Sequence, residues 1–377
     1  MAATTYGPHP LCPDHALAYR VISDFLQKHR QDVVEIEVLP PALAPPSGSP
    51  VLEDGICLGV PKRFLAAAFI AARSVFFDKR VCSDPISVQA ALDATSVILL
   101  FDPEHLTAAN FRKAQLNVLR SLHNDSLAPA HSVQLELNFL DSILTSPLHR
   151  QSKSPTLWGY RAWIVQSFDP QLWLSRAPGQ DATSLLSWEQ FARELGVVLK
   201  AAERHPKNYY AWQYARRLFD RVPELQSIYQ RQLSLLRPPP LISSSLTAPG
   251  HDFLQQSVPV VYEWCLRNPS DTSAWSFLYF LLLRTPKPAR LAQQIIDRTF
   301  GLAQGFHWKH ESLWTFLRTV IADPTLTSTE ARSQYIQAIQ DTYKKKDFLS
   351  PEAEATVIGL AHPAEKAVIW ILHNASA

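Results

Sequence analysis

The stretch HPKNYYAWQYARRL, residues 205 to 218, sets Lys207, Tyr209, Tyr210, Trp212, Arg216 and Arg217 close together. An ammonium and phenol hydroxyls are hydrogen-bond donors, so these types at this spacing admit a small local basic pocket. The plainer reading makes the lysine a solvated turn residue, the tyrosines rim packing and the tryptophan a core anchor. Other chemistry-bearing residues are sparse. His307 and His310, in HWKHE, have metal-like spacing, but no third ligand is nearby and they read as surface histidines at a helix start. Cys12, Cys57, Cys82 and Cys265 lie far apart, with no CxxC pair, and read as reduced thiols rather than a zinc knuckle or disulfide framework. There is no GxGxxG, GxxxxGK[ST], GxSxG or HExxH stretch, and 11 glycines against 29 prolines leave little material for phosphate loops.

The elements that must hold such residues come from a recurrence. The opening stretch returns as DPEHLTAANFRK (102–113), KSPTLWGYRAW (153–163), NPSDTSAWSFLYF (268–280) and KHESLWTFLR (309–318). The tryptophan positions are Ala109, Trp158, Trp212, Trp275 and Trp314, spaced by 49, 54, 63 and 39 residues. Unequal spacing of a constant motif predicts a repeat of fixed core with connections of variable length. Before each copy runs an apolar segment stepping by three and four residues: 86–101, 133–144, 188–205, 252–267 and 291–303. The unit is therefore helix, short polar or proline-containing turn, helix. Within it Trp158, Trp212, Trp275 and Trp314, with Arg161 and Arg216, read as packing residues. Tryptophan brings large buried area and an N–H that needs a partner, and arginine lays its stem on a ring and its head on carboxylates or helix ends.

Composition bounds the rest. The chain has 377 residues, of which 46% are hydrophobic, enough for a sizeable core. Its 36 basic and 34 acidic residues leave a net charge of +2, which argues against a nucleic-acid binder relying on a broad positive field. The first residues lack the apolar core of a secretory signal, and no apolar run reaches the roughly 18 to 20 residues that span a bilayer. A cytoplasmic protein is expected. Three segments are expected: 1–80, with a helix near 12–29, a short strand at VVEIEV and a flexible proline-rich stretch 40–50; a helical-repeat array 81–323, interrupted by a Pro/Ser-rich insert 236–250; and capping helices in 324–377.

The register Pro-Lys-Asn-Tyr-x-x-Trp-x-x-Arg-Arg, met here with an inserted Ala215 that pushes the arginines to positions 216 and 217, resembles the protein prenyltransferase alpha-subunit repeat. The resemblance covers roughly 86–322, and EIEVLPP (35–41), VLEDGICLGVPKRFL (51–65) and KSPTLW look like the repeat-containing branch of that family. It implies an all-α fold, a right-handed α-α superhelix of five repeats. It also implies a non-zinc alpha subunit, inactive alone, of a heterodimeric protein geranylgeranyltransferase. No cofactor is expected in this chain; the catalytic zinc belongs to a beta subunit of the Rab-enzyme type, the expected partner. Together they would transfer an isoprenoid from its diphosphate to a C-terminal cysteine of a protein substrate. By position, Lys153 matches the family's catalytic lysine, and Lys153, Tyr209 and Tyr210 would bind the diphosphate. Set against this is a non-catalytic helical scaffold. A tetratricopeptide array, with its steady 34-residue period, fits less well.

Overall fold

The computed structural model describes residues 13–43, 45, 50–122, 128–168, 188–235, 249–286, 288–343 and 362–374. Cys12, positions 44 and 46–49 of the proline-rich stretch, and most of the Pro/Ser-rich insert (236–248) lie outside the described residues. The chain divides into two compact units, Met1–Arg217 and Leu218–Ala377.

Helices dominate both. In chain order they are α1 Pro13–Lys28, α2 Lys62–Lys79, α3 Pro85–Phe101, α4 Leu106–Leu122, α5 Ala128–Leu144, α6 His149–Ser152, α7 Pro155–Ser167 and α8 Trp188–Arg204. There follow α9 Tyr209–Leu235, α10 Pro249–Arg267, α11 Thr272–Leu282, α12 Pro288–Gly305, α13 Glu311–Ala322, α14 Thr329–Tyr343 and α15 Pro363–Asn374. The apolar segments with helical period thus become α3, α5, α8, α10 and α12, with ends shifted by a few residues. The expected mostly helical fold is found, with one addition.

That addition is a three-stranded sheet in the first unit. Strands β1 (Glu35–Leu39), β2 (Leu52–Asp54) and β3 (Cys57–Pro61) lie in the order β1-β3-β2. The first pair is parallel, with Glu35 opposite Cys57, and the second antiparallel. Only the first strand is legible as VVEIEV. The hairpin depends on Gly55, whose φ of 55° is a left-handed turn conformation that glycine adopts without Cβ strain. Ile36, Leu58 and Val60 alternate into the core and are all buried. Ser142 on α5 accepts from the Val34 N–H at 2.9 Å, and Asn138 donates to the Gln31 carbonyl at 2.7 Å, which seats the sheet's leading edge on a repeat helix.

The recurring motif has a structural meaning. In every copy the tryptophan position is the fourth residue of its helix: Ala109 in α4, Trp158 in α7, Trp212 in α9, Trp275 in α11 and Trp314 in α13. The residue four places earlier stands at the helix N-cap, where a side-chain oxygen can take an orphan backbone N–H. Ser154 accepts from Leu157 N at 3.1 Å, Asn208 from Ala211 N at 3.3 Å, and Asp271 from Ser273 N and Ala274 N at 2.9 and 3.0 Å. His105 uses its Nδ1 in the same way toward Ala108 N, at 3.2 Å. The cap fixes where the helix begins, and the fourth residue then falls on the inward face. Trp158, Trp212, Trp275 and Trp314 are all buried.

Candidate functional site

The turns before these helices are tied to themselves and to their neighbours through one recurrent acceptor. The indole N–H of Trp158 donates to the carbonyl six residues back, Ser152, at 2.8 Å. Trp275 does the same to Pro269, and Trp314 to Trp308, each at 3.0 Å. Each of these indoles therefore clamps the turn that leads into its own helix, which satisfies the N–H a buried tryptophan must place. Two of these carbonyls, Ser152 O and Pro269 O, and the equivalent Pro103 O of the first copy receive donors from the adjacent copy. Ser154 Oγ donates to Pro103 O at 3.1 Å, Asn208 Nδ2 to Ser152 O at 2.9 Å, and Ser312 Oγ to Pro269 O at 3.2 Å.

The residues expected to form a site sit on two of these turns. Lys153 caps the C-terminus of α6 and is half-buried. Its Nζ donates to Pro206 O at 3.0 Å, the carbonyl six residues before Trp212. With the Asn208–Ser152 bond, this joins the turn carrying Lys153 to the turn that opens into Tyr209 and Tyr210. Those two tyrosines are 60% and 39% exposed, and their rings meet edge to face at 5.4 Å. Their hydroxyls make no hydrogen bond among the described residues. Lys207, exposed between them and His205, has a φ of 59°, a strained value for a residue with a side chain. His205 and His149 lie ring to ring at 5.4 Å, and His205 Nε2 is 3.2 Å from Ser146 O. Burial lowers the His205 pKa, and the nearby His149 and Lys153 charges act in the same sense. Chemically the junction offers an ammonium with donors to spare beyond its one carbonyl, and two phenols open to solvent. Arg216 is half-buried on the same helix as the tyrosines, and Arg161 is fully buried.

Arg161 belongs to a ladder that the sequence reading missed. Arg112, three residues after Ala109, forks onto Glu136 of α5, with Nε to Oε1 at 2.6 Å and Nη2 to Oε2 at 2.7 Å. The Tyr160 hydroxyl donates to the same carboxylate at 2.9 Å. One copy later the rung repeats. Arg161, three residues after Trp158, forks onto Glu194 of α8 at 2.9 and 3.0 Å and reaches Asp141 with Nη1. Tyr214, two residues after Trp212, donates to Glu194. Burial alone would lower the pKa of both guanidiniums; the carboxylates more than reverse it, Glu136 for Arg112 and Asp141 with Glu194 for Arg161. Tyr160 and Tyr214 are pushed well above the usual phenol range by burial and by these carboxylates. In the last two copies the corresponding positions hold Phe277 with Leu278, and Phe316 with Leu317, all buried. The visible trace of the ladder was an acid on the apolar face of a helix: Glu136 and Asp141 in VQLELNFLDSIL, and Glu194 in WEQFARELG.

Among the described residues no group of three or more His, Cys, Asp or Glu side chains could hold a metal ion, and no helix is long and apolar enough to cross a membrane. The family model of the protein prenyltransferase alpha subunit repeat matches residues 191–222 and 255–285. These are the helix pairs α8–α9 and α10–α11. Similar curated proteins carry the same repeat in their names. Protein prenyltransferase alpha subunit repeat-containing protein 1-B of Xenopus laevis is 26% identical over 207 residues, 52% of this chain and 44% of its own length. Protein prenyltransferase alpha subunit repeat-containing protein 1 of Danio rerio is 27% identical over 235 residues, covering 58% and 49%. The Homo sapiens protein of that name is 23% identical over 292 residues, covering 74% and 61%. The aligned region thus spans about half the length of the curated relatives. The chain carries the protein prenyltransferase alpha subunit repeat and resembles the repeat-containing branch.

Proposed function

We propose that this repeat-bearing chain is the alpha-type subunit of a heterodimeric protein prenyltransferase. Its partner is a beta subunit of the Rab-enzyme type, and the pair, in the cytoplasm, transfers a geranylgeranyl group from its diphosphate to a C-terminal cysteine of a protein substrate. The five motif copies are read as five repeats of a right-handed α-α superhelix. On this reading the zinc, which activates the cysteine thiolate, belongs to the partner. As the bond from isoprenoid C1 to oxygen breaks, negative charge grows on the leaving diphosphate. The remaining N–H donors of Lys153 and the hydroxyls of Tyr209 and Tyr210 meet that charge, a preorganised contribution of the oxyanion-hole kind. The observation that carries the reading is the junction itself: Lys153 hydrogen-bonds into the turn that presents two solvent-facing phenols.

A second reading, a helical scaffold without a catalytic partner, draws on the same bond. Lys153 Nζ already serves Pro206 O, so the lysine also acts as a tie between turns. Co-expression with a Rab-type beta subunit and size-exclusion chromatography separates the two. A stable one-to-one complex supports the enzyme, and in it Lys153→Ala lowers kcat by about 100-fold with the complex intact, the usual cost of one such donor. Separate elution with every prenyltransferase beta subunit tried leaves the scaffold as the better account.

A further inference from the structure

Helix α2 carries an excess of positive charge on an exposed face. Its inner residues, Leu65, Ala68, Ala71, Ala72 and Phe76, are buried against α1 and α3. Its outer stripe runs Arg63, Ile70, Arg73 and Phe77, at steps of seven, three and four, so these side chains share one side, and Arg80 and Val81 follow just past the helix end, both exposed. Lys62 and Lys79 flank the stripe, and from 62 to 86 the five cations face two acids, Asp78 and Asp84, the latter accepting from Ser87 N as the cap of α3. In a chain whose overall charge is only +2, that is a local concentration of cations. Arg63, Arg73 and Arg80 make no ion pair among the described residues. Instead the guanidiniums of Arg73 and Arg80 lie over Phe77, 5.8 and 4.6 Å from the ring centre. Stacking satisfies their faces and leaves in-plane N–H groups for an oxyanion.

At the end of this stripe the chain turns into α3, and there stand the two most exposed large apolar residues of the described chain, Val81 at 77% and Ile86 at 83%. The His105 ring lies 6.5 Å from Phe77 and borders the stripe. A monomer in water gains nothing from holding branched aliphatic side chains on a protruding turn. An apolar tip backed by cations suits a bilayer surface. The aliphatic groups enter the boundary between headgroups and acyl chains, and the arginines and lysines meet lipid phosphates and carboxylates. A protein groove would also cover the tip, but it would have to supply carboxylates two helical turns apart opposite Arg73 and Arg80; an anionic lipid surface supplies negative charge everywhere.

We propose that the outer face of α2 and the α2–α3 turn form a docking surface for anionic membrane lipid. The test is flotation of the full chain with vesicles of phosphatidylcholine alone or with about 30% phosphatidylserine, at low and raised salt. The chain is expected on the anionic vesicles, not on the neutral ones, and less so in salt. Each cation near such a surface is worth about fivefold in partitioning, so the double change Arg73→Gln with Arg80→Gln lowers binding about 30-fold. Val81→Ser with Ile86→Ser abolishes stable binding while the thermal melt stays in place, because both residues are exposed. The control pair Lys200→Gln with Arg204→Gln removes the same charge elsewhere and leaves binding unchanged. Failure to bind anionic vesicles overturns the proposal, as does an equal loss in the control. So does a self-associated form in sedimentation that Val81→Ser with Ile86→Ser dissociates, which would assign the face to a second copy of the chain.

Discussion

Replacing Arg161 by leucine removes the cation that hydrogen-bonds to both of two buried carboxylates. The Arg161 side chain is 0% exposed, and those of Asp141 and Glu194 are 6% and 8% exposed. After the change, both acids face each other in the packed interior without a hydrogen-bonded cation, Asp141 keeping only the more distant charge of Arg193, and the Tyr214 hydroxyl donates to a carboxylate that has lost its fork. Breaking a buried pair in this way costs about 3–5 kcal/mol, because the remaining charge keeps its desolvation penalty without compensation. The apolar alternative is already present in the same chain, where Phe277 and Leu278 occupy the positions of Tyr214 and the ladder arginine. The combined variant Arg161→Leu, Asp141→Leu, Glu194→Leu, Tyr214→Phe therefore recovers most of the loss, to within about 2 kcal/mol of the parent. Urea unfolding of the full chain, followed by far-ultraviolet circular dichroism and tryptophan fluorescence, reads both numbers. The effect should change little between low salt and about 0.5 M salt, since buried pairs are poorly screened. A single-variant loss below about 1 kcal/mol would refute the reasoning, because it would mean that the carboxylates reach water or are neutral. A combined variant no more stable than Arg161→Leu would refute it equally, by showing that shape rather than charge decides.

Three smaller tests follow from the same geometry. Asp271→Ala strips the cap that accepts from Ser273 and Ala274, and should cost about 1–2 kcal/mol in urea unfolding, whereas Asp271→Ser should retain most of it. Trp158→Phe keeps an aromatic ring but loses the indole bond to Ser152 O and leaves a void; a loss of about 2–3 kcal/mol is expected, against under 1 kcal/mol at an exposed aromatic such as Tyr209. Tyr279, which donates to Asp323 at 2.6 Å, is pushed up to about 12 from 10.0 by burial and by that carboxylate. A folded-state value above the unfolded one means its contribution is whole below pH 10 and is lost as pH rises through about 12. Ultraviolet titration at high pH, compared with Tyr279→Phe, should show one late-ionising phenol that the variant lacks.

The helices were legible because their cause is local. Three- and four-residue apolar steps sufficed to set out α3, α5, α8, α10 and α12, and a cap followed four residues later by an aromatic is a pattern one turn of chain can carry. The hairpin of β2 and β3 was not legible. Leu52–Asp54 is too short to alternate, and only Gly55 with its positive φ hints that the two segments pair. The junction of the Lys153 and Tyr209 turns was legible only by analogy. Lys153 and Pro206 are 53 positions apart, and no local pattern says that a side chain at one seeks the carbonyl at the other.

The ladder makes the point most sharply, because every one of its residues was in view. Glu136 and Glu194 read as acids interrupting an apolar face, which in a single helix is a defect. They become necessary only once Arg112 and Arg161, contributed by the preceding copy, are buried beside them, and the tyrosine two residues past each tryptophan position then fills the last donor slot. A buried fork of this kind tolerates few other partners: lysine lacks the planar donors and glutamine lacks the charge. The ladder thus constrains which helix can follow which in the first unit, where three copies are joined by two such rungs. The last two copies, with phenylalanine and leucine at the same positions, pack by volume, which accepts many neighbours. The arginine three residues after the tryptophan position is present in the first two copies, whose rungs fix their neighbours, and is replaced from the third copy on by Ala215, Leu278 and Leu317.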